Sequence, residues 1–238
     1  MDPRSAAFLR GVRAALPFIL VMGPFGMLFG VASANAGLSL FEISAFSLTV
    51  FAGAAQFAAL QLMQDQAPLI VILATSLAVN LRLVMYSVAL APDFGGARLG
   101  VRAALAYFLV DQVFVATQAE LSRRPDQSQG EKTAFYFGAV LPVAALWFGA
   151  SFAGAVAGQA IPPEYALDFA VPITFLAMLA PMLRSWPHVA AAGISVAGTL
   201  ALGFLPFGTG LLVAALLAMA VGMAMEIYVA RSGKGEAG

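Results

Sequence analysis

The chain has 238 residues, of which 61% are hydrophobic and only 10% are charged, and its formal net charge is zero. A soluble domain has about 25% charged residues, so this composition excludes an ordinary water-soluble protein and indicates one that is solvated mainly by lipid. The zero net charge gives no electrostatic basis for nucleic-acid binding. Because the chain has no cysteine, disulfides and thiolate metal sites are excluded.

Long apolar runs, separated by short polar or Pro/Gly-rich segments, predict an all-α, polytopic membrane protein with a single transmembrane domain over residues 1–238. No run alternates with period two, as the strands of a membrane barrel would. We place spans at 14–36, 42–63, 68–91, 103–121, 134–160, 166–184, 188–205 and 208–229. The last two are separated by a short Phe/Pro/Gly segment, and interpreting them as one broken helix with a re-entrant segment gives seven spans instead of eight.

The first run follows Arg4, Arg10 and Arg13 and is too long for the apolar part of a signal peptide, so we interpret it as an uncleaved span. By the positive-inside rule, the arginines place the N-terminus in the cytoplasm. Eight crossings then place the C-terminus and most other basic residues on the same side. Arg98 and Arg102 fall on the opposite side, an exception that the sequence does not explain.

The first span contains Gly23-Pro24 and Gly26 near its middle. A Gly-Pro pair at this depth frees backbone carbonyl groups, and the result is either a plain kink or a broken helix that lines a site. GxxxG spacings that begin at Gly26 and at Gly154 predict close helix packing.

Polar residues interrupt the next two runs. Gln56 lies in the second run beside Gly53 and two alanines, which leave room next to its amide for another helix or a ligand. Asn80 and Arg82 lie in the third run, about 200° apart on a regular helix. Tyr86 follows four residues after Arg82 and therefore shares its face.

Asp111 lies near the middle of the fourth run and is followed by Gln112. A charge at the membrane centre costs about 2.5–3.5 kcal/mol on insertion scales, and an opposite charge removes much of this cost. Arg82 and Asp111 have opposite charge, similar depth and consecutive helices, so we predict that they form an ion pair. The pair is either a structural link or an ionic centre that holds a zwitterion or couples to protons.

A weak internal repeat relates residues 12–121 to residues 134–230. An offset of about 125 residues places Pro17 on Pro142, and many secondary transporters are built from such repeats. Four spans per half would make the halves parallel, whereas an odd number would invert them.

The sequence contains no HExxH, GxSxG, P-loop or dinucleotide-binding motif, which argues against an enzyme and against an ATP-driven pump. The single histidine, His188, cannot form a histidine metal cluster. We therefore predict no cofactor and no metal. The polar residues at mid-membrane depth favour a secondary transporter. The alternatives are a non-transporting scaffold or assembly subunit with a structural polar core, and a channel, which would need a continuous polar helix face.

Several segments resemble motifs of the AzlC family. They are Ala14-Ala-Leu-Pro17 with Gly23-Pro-Phe-Gly26, Phe51-Ala-Gly-Ala-Ala-Gln-Phe57, Asn80-Leu-Arg82 with Tyr86, Asp111-Gln112-Val-Phe114, and Leu167-Asp168-Phe169 with Pro172. The resemblance implies the large subunit of a branched-chain amino-acid exporter in the bacterial cytoplasmic membrane, driven by an ion gradient. It also implies a small AzlD-type partner of about four spans.

Two groups of residues are our candidates for function. For binding the polar head of the substrate, we select Gln56, Asn80, Gly23, Pro24, Gly26, Gly53 and Tyr86. For the ion pair or for proton coupling, we select Arg82, Asp111 and Gln112.

Overall fold

A computed structural model describes residues 2–160, 183, 185–205 and 209–235. Its helices are α1 (Pro3–Asn35), α2 (Leu40–Thr49), α3 (Gly53–Gln64), α4 (Leu69–Phe94), α5 (Leu99–Tyr107), α6 (Asp111–Arg123), α7 (Gln129–Ala160), α8 (Trp186–Ala201) and α9 (Thr209–Gly235). Within these residues, α1, α4, α7 and α9 are long and apolar enough to cross a membrane. The predicted all-α, polytopic class is confirmed. The expected span at 166–184, the AzlC-like segment at 167–172 and residues 206–208 between the last two expected spans lie outside the described residues.

The described part of the chain forms two compact units. The larger contains residues 2–57 and 79–160, and the smaller contains residues 58–78, 183, 185–205 and 209–235. In the smaller unit, α8 and α9 pack as antiparallel helices, because Gly198 faces Ala214 and Gly222 faces Ala191. The candidate residues of the sequence analysis all lie in the larger unit.

Glycines bring α1 and α7 into backbone contact at the centre of the larger unit. A Cβ atom added at Gly11 would overlap the carbonyl oxygen of Phe135, and one added at Gly30 would overlap that of Ser151. Because these contacts follow the same order along both helices, α1 and α7 run parallel. Gly154 likewise lies on the backbone of α1, so the close packing predicted for the GxxxG segments is confirmed.

The α1 helix is continuous through Gly23 and Pro24, so the alternative of a broken helix at this pair is wrong. An interior proline removes one backbone hydrogen bond and costs about 3 kcal/mol. Here the glycine contacts with α7, on both sides of the proline, hold the helix in place. The side chain of Pro24 is exposed, and the position of a Cβ at Gly23 lies 3.8 Å from the side chain of Leu146.

The second predicted span consists of two helices, α2 and α3, between which the chain reverses. The amide nitrogen of Gln56, in α3, donates to the hydroxyl of Ser47, in α2, at 3.4 Å. The ring of Phe29 contacts both Phe46 and Phe57, which precede and follow the reversal. The two helices therefore form a re-entrant hairpin, which we call the first hairpin.

The fourth predicted span is a second hairpin, formed by α5 and α6. Just before α5, Asp93 pairs with Lys132 in the first turn of α7 at 2.7 Å. Near the end of α6, Glu120 pairs with Arg10 of α1 at 2.9 Å and accepts a hydrogen bond from Gln127 at 2.7 Å. Both ends of this hairpin thus lie where α1 and α7 begin, a side of the protein that we call the N-terminal face.

The two hairpins meet at their tips. The ring of Phe51, between α2 and α3, lies 5.8 Å from Phe108 and 6.4 Å from Tyr107, where α5 ends. The Tyr107 hydroxyl donates to the carbonyl oxygen of Leu48. Phe51 also contacts Phe148, far from both ends of α7. The tips therefore meet deep inside the protein.

This topology corrects the spans expected at 42–63 and 103–121, because an apolar hairpin and an apolar span give the same hydropathy signal. It also removes the exception to the positive-inside rule. The end of α4 lies at the N-terminal face, as the pairing of Asp93 with Lys132 shows. Arg98 and Arg102 follow directly and belong to the same face. The cytoplasmic placement of this face stays a prediction.

The segments α1–α3 and α4–α6 have the same order, a long helix followed by a hairpin, but they run in opposite directions. A shift of 57 residues relates their contacts, since it maps the pair Phe29 and Phe57 (centroids 5.5 Å apart) onto Tyr86 and Phe114 (4.1 Å apart). Within the larger unit, residues 25–57 and 82–114 therefore form an inverted repeat that is shorter than the predicted halves. The predicted halves themselves stay a prediction.

We expect Gly154→Ala to destabilise the protein by about 1–3 kcal/mol, because the new methyl group would overlap the backbone of Met27. Gly149→Ala, on the same helix, is the control. No atom lies within 4 Å of its added Cβ, so this variant should be neutral or more stable by about 0.5–1 kcal/mol. Thermal unfolding in detergent measures both. Equal midpoints for the two variants would contradict the backbone contact.

Candidate functional site

Three side chains of α4 and α6 form what we call the ionic cluster: Arg82, Tyr86 and Asp111. Arg82 Nη2 lies 3.1 Å from Asp111 Oδ2, so the predicted ion pair is present. The Tyr86 hydroxyl donates to Asp111 Oδ1 at 2.9 Å. The ring of Tyr86 stacks on Phe114 with 4.1 Å between centroids and 9° between planes, which fixes the hydroxyl toward the carboxylate.

The break before α6 explains the position of Asp111. This residue is the first of α6, where the backbone N–H groups have no partner within the helix and the helix dipole is positive. A carboxylate is favoured there. Arg82 lies 11 residues before Asp93, which is about 16 Å along a helix, so the ionic cluster lies at a depth well below the N-terminal face.

The ionic cluster is accessible in this conformation. The side chains of Arg82 and Asp111 are 30% and 37% exposed. The Nε atom of Arg82 is buried and has no hydrogen-bond partner among the described residues. The guanidinium and the carboxylate could therefore bind a ligand that carries both charges, such as the polar head of an amino acid.

A second polar position lies at the start of α3. Gln56 is fully buried, and its carbonyl oxygen has no partner within the described part of the chain. The indole nitrogen of Trp147, whose ring covers Gly53, is also buried without a partner there. Since buried polar atoms are nearly always hydrogen-bonded, these two atoms are candidates for contacts with a ligand.

The structure does not bring all candidate residues together. The buried side-chain oxygen of Asn80 has no partner among the residues described, and no hydrogen bond joins it to the ionic cluster. Gln112 is half-buried beside Asp111 and is not part of the cluster. Gln56 bonds to Ser47 rather than to the cluster. The predicted sites thus separate into the ionic cluster and the Gln56 position.

Of the glycines and the proline selected from the sequence, Gly26 and Gly53 have packing roles in this structure. A Cβ at Gly26 would lie 3.1 Å from that of Ala150, and one at Gly53 would lie 2.7 Å from the ring of Trp147. The space beside Gln56 that the sequence suggested is therefore filled by an aromatic ring. Pro24 is exposed on the outer side of α1.

Two residues at the Gln56 position, Trp147 and Ser47, were not predicted from the sequence. A tryptophan inside the apolar run of α7 was the available signal, because the indole N–H needs a partner when it is buried. For Ser47 no signal existed, because its contact with Gln56 depends on the chain reversal.

The inverted repeat shows that the ionic cluster is specific to the second copy. The shift of 57 residues maps Phe25, Phe29 and Ala54 onto Arg82, Tyr86 and Asp111. In the first copy, the rings of Phe25 and Phe29 pack against Phe57. The corresponding positions are thus apolar in one copy and charged in the other.

We expect the single variants Arg82→Asp and Asp111→Arg to reduce the yield of folded protein, because each places like charges in contact at membrane depth. The double variant restores opposite charges and should recover part of the yield, measured by size-exclusion chromatography in detergent. As a control, Arg82→Asp combined with Asp93→Arg should not recover it. Equal losses with both second substitutions would contradict the importance of the pair.

The sequence profile of the AzlC protein family matches residues 17–161, which covers more than half of the chain. The chain is 29% identical over 219 residues to an uncharacterized membrane protein of Archaeoglobus fulgidus, with 90% of this chain and 93% of that protein covered. It is 28% identical over 183 residues to the inner membrane protein YgaZ of Escherichia coli, with 74% of each covered. No solved structure matches. The chain is a multi-pass membrane protein and belongs to the AzlC family.

Proposed function

We propose that this protein is the large subunit of a secondary transporter that exports branched-chain or similar apolar amino acids, and that the proton motive force drives it. Its N-terminal face is cytoplasmic. The observation that carries the proposal is the meeting of two oppositely directed hairpins deep in the larger unit, where α3 and α6 begin. Broken helices whose N-termini lie near the membrane centre form the substrate sites of many secondary transporters.

Each polar position has a part in this proposal. The free N–H groups at the start of α3, together with Gln56, bind the substrate carboxylate, because a helix N-terminus favours an anion. Asp111, in the separate ionic cluster, takes up the proton that is exchanged for the substrate. The aromatic rings around Phe51, where the hairpins meet, separate the two sides of the membrane.

Proton coupling requires the ion pair to open. A proton on Asp111 removes the charge that attracts Arg82, so the pair separates in one state of the transport cycle. Tyr86 then keeps one hydrogen bond to the carboxyl group, which holds it in place. The partial exposure of both charged side chains is consistent with such an exchange.

We further propose that a small AzlD-type membrane subunit works with this chain. The face of α4 in the larger unit exposes large apolar side chains, including Leu81, Val84 and Val88, each at least half exposed. Such a face contacts either lipid or another membrane helix. Co-purification with the product of a neighbouring reading frame of about four spans tests the partner.

We expect Gln56→Leu to lower amino-acid efflux by about 10–100-fold, which corresponds to the loss of a hydrogen bond to a charged group. Efflux is measured from cells loaded with dipeptides that contain leucine or valine, with the gene deleted as the baseline. The control is Gln61→Leu, the same change at an exposed position of the same helix, which should leave efflux unchanged. Normal efflux in a well-folded Gln56→Leu variant would remove Gln56 from the site.

We expect Asp111→Asn to abolish efflux driven by a pH gradient while retaining exchange of labelled leucine in proteoliposomes, because an amide cannot take up the proton. The control is Asp93→Asn, which changes a carboxylate at the N-terminal face. If Asp111→Asn still concentrates leucine against its gradient with a normal pH dependence, Asp111 is not the proton site. If every variant and the deletion strain show equal efflux, the protein is a scaffold and not a transporter.

A further inference from the structure

A groove between α4 and α5 has no part in the proposed transport site. It has a volume of about 310 Å³, and its lining includes Gly95, which closely follows Asp93 at the N-terminal face. Its floor consists of buried apolar side chains of the larger unit, including Leu90, Phe94 and Leu105. Its lining also includes exposed residues of α5, among them Leu99 and Ala103.

The only charged residue in the lining of this groove is Arg102. Arg98 is the N-cap residue of α5, four residues before Arg102, so both arginines belong to the beginning of this short helix. Neither arginine has an ion pair among the described residues, whereas Arg10 and Lys132 of the same face are both paired with carboxylates. The groove thus combines an apolar floor with one cation in its lining, Arg102, and a second cation, Arg98, at the same end of α5.

We propose that this groove binds an anionic phospholipid. One acyl chain lies on the floor, along Leu90 and Leu105, and the phosphate lies between Arg98 and Arg102. Basic pockets between membrane helices near the cytoplasmic surface are suited to anionic lipid headgroups. The groove is continuous with the exposed apolar face of α4 at Ser87 and Val88, so a lipid could enter from the bilayer.

The chemistry of the groove favours a lipid over the transported amino acid. Arg102 lies nine residues before Asp111, and five of these residues continue α5 before the chain reverses. The two groups are thus separated by most of the hairpin, which is much longer than the distance between the ammonium and the carboxylate of one amino acid. A lipid, in contrast, has its charge at one end and a long apolar chain that fits the floor.

The test uses the full-length protein in a neutral detergent. Phosphatidylglycerol, phosphatidylcholine and inorganic phosphate are added separately, and bound molecules are counted by native mass spectrometry. We expect binding of phosphatidylglycerol, and we expect neither phosphatidylcholine nor phosphate to bind comparably. Arg98→Gln with Arg102→Gln should weaken the binding about 30-fold, since each basic residue near an anionic surface contributes about fivefold.

Two further variants make the test specific. Arg13→Gln with Arg123→Gln removes the same charge from exposed positions outside the groove and should not change the binding. Ala103→Trp fills the groove without a change in charge and should weaken the binding to a similar extent as the loss of both groove arginines. Equal losses in the two double variants, or full binding by a folded Ala103→Trp variant, would overturn the proposal. The proposal would also be overturned if inorganic phosphate alone saturated the groove, or if the groove were buried in a dimer of this protein.

Discussion

The backbone contact between α1 and α7 is the constraint on which the larger unit depends. Within a membrane there is little hydrophobic force between helices, so close packing through small residues provides the attraction. The two parallel helices then support the other elements. Arg10 and Lys132 attach the ends of the second hairpin near the beginnings of these two helices. The rings of Trp147 and Phe148 support the start of α3 and the tip at Phe51.

The sequence predicted the class of the fold, the close packing at the GxxxG segments and the pairing of Arg82 with Asp111, because each depends on composition or on opposite charge within a low-dielectric medium. It did not predict the two hairpins. Both have the length and hydropathy of a span, and the reversal near Phe51 depends on tertiary contacts. The Gly23-Pro24 pair suggested a broken helix that the structure does not have, since packing against α7 keeps α1 intact.

The comparison of the two inverted copies separates packing from chemistry. Phe25 and Phe29 in the first copy fill space with aromatic rings, and the corresponding residues of the second copy build an ion pair and a hydrogen bond. The charged residues of the second copy cost insertion energy that apolar side chains do not, and charges within a membrane usually accompany function.

The single crossing in each copy of the repeat has a consequence for how this architecture could arise. A segment with one long helix and one hairpin begins and ends on opposite sides of the membrane, so a tandem gene duplication inverts the second copy automatically. Biosynthetic insertion then needs a signal that fixes the orientation of each copy. The second copy has Arg98 and Arg102 where the first has Phe41 and Ala45, and such an asymmetry in basic residues is the kind of signal by which the positive-inside rule distinguishes the two sides.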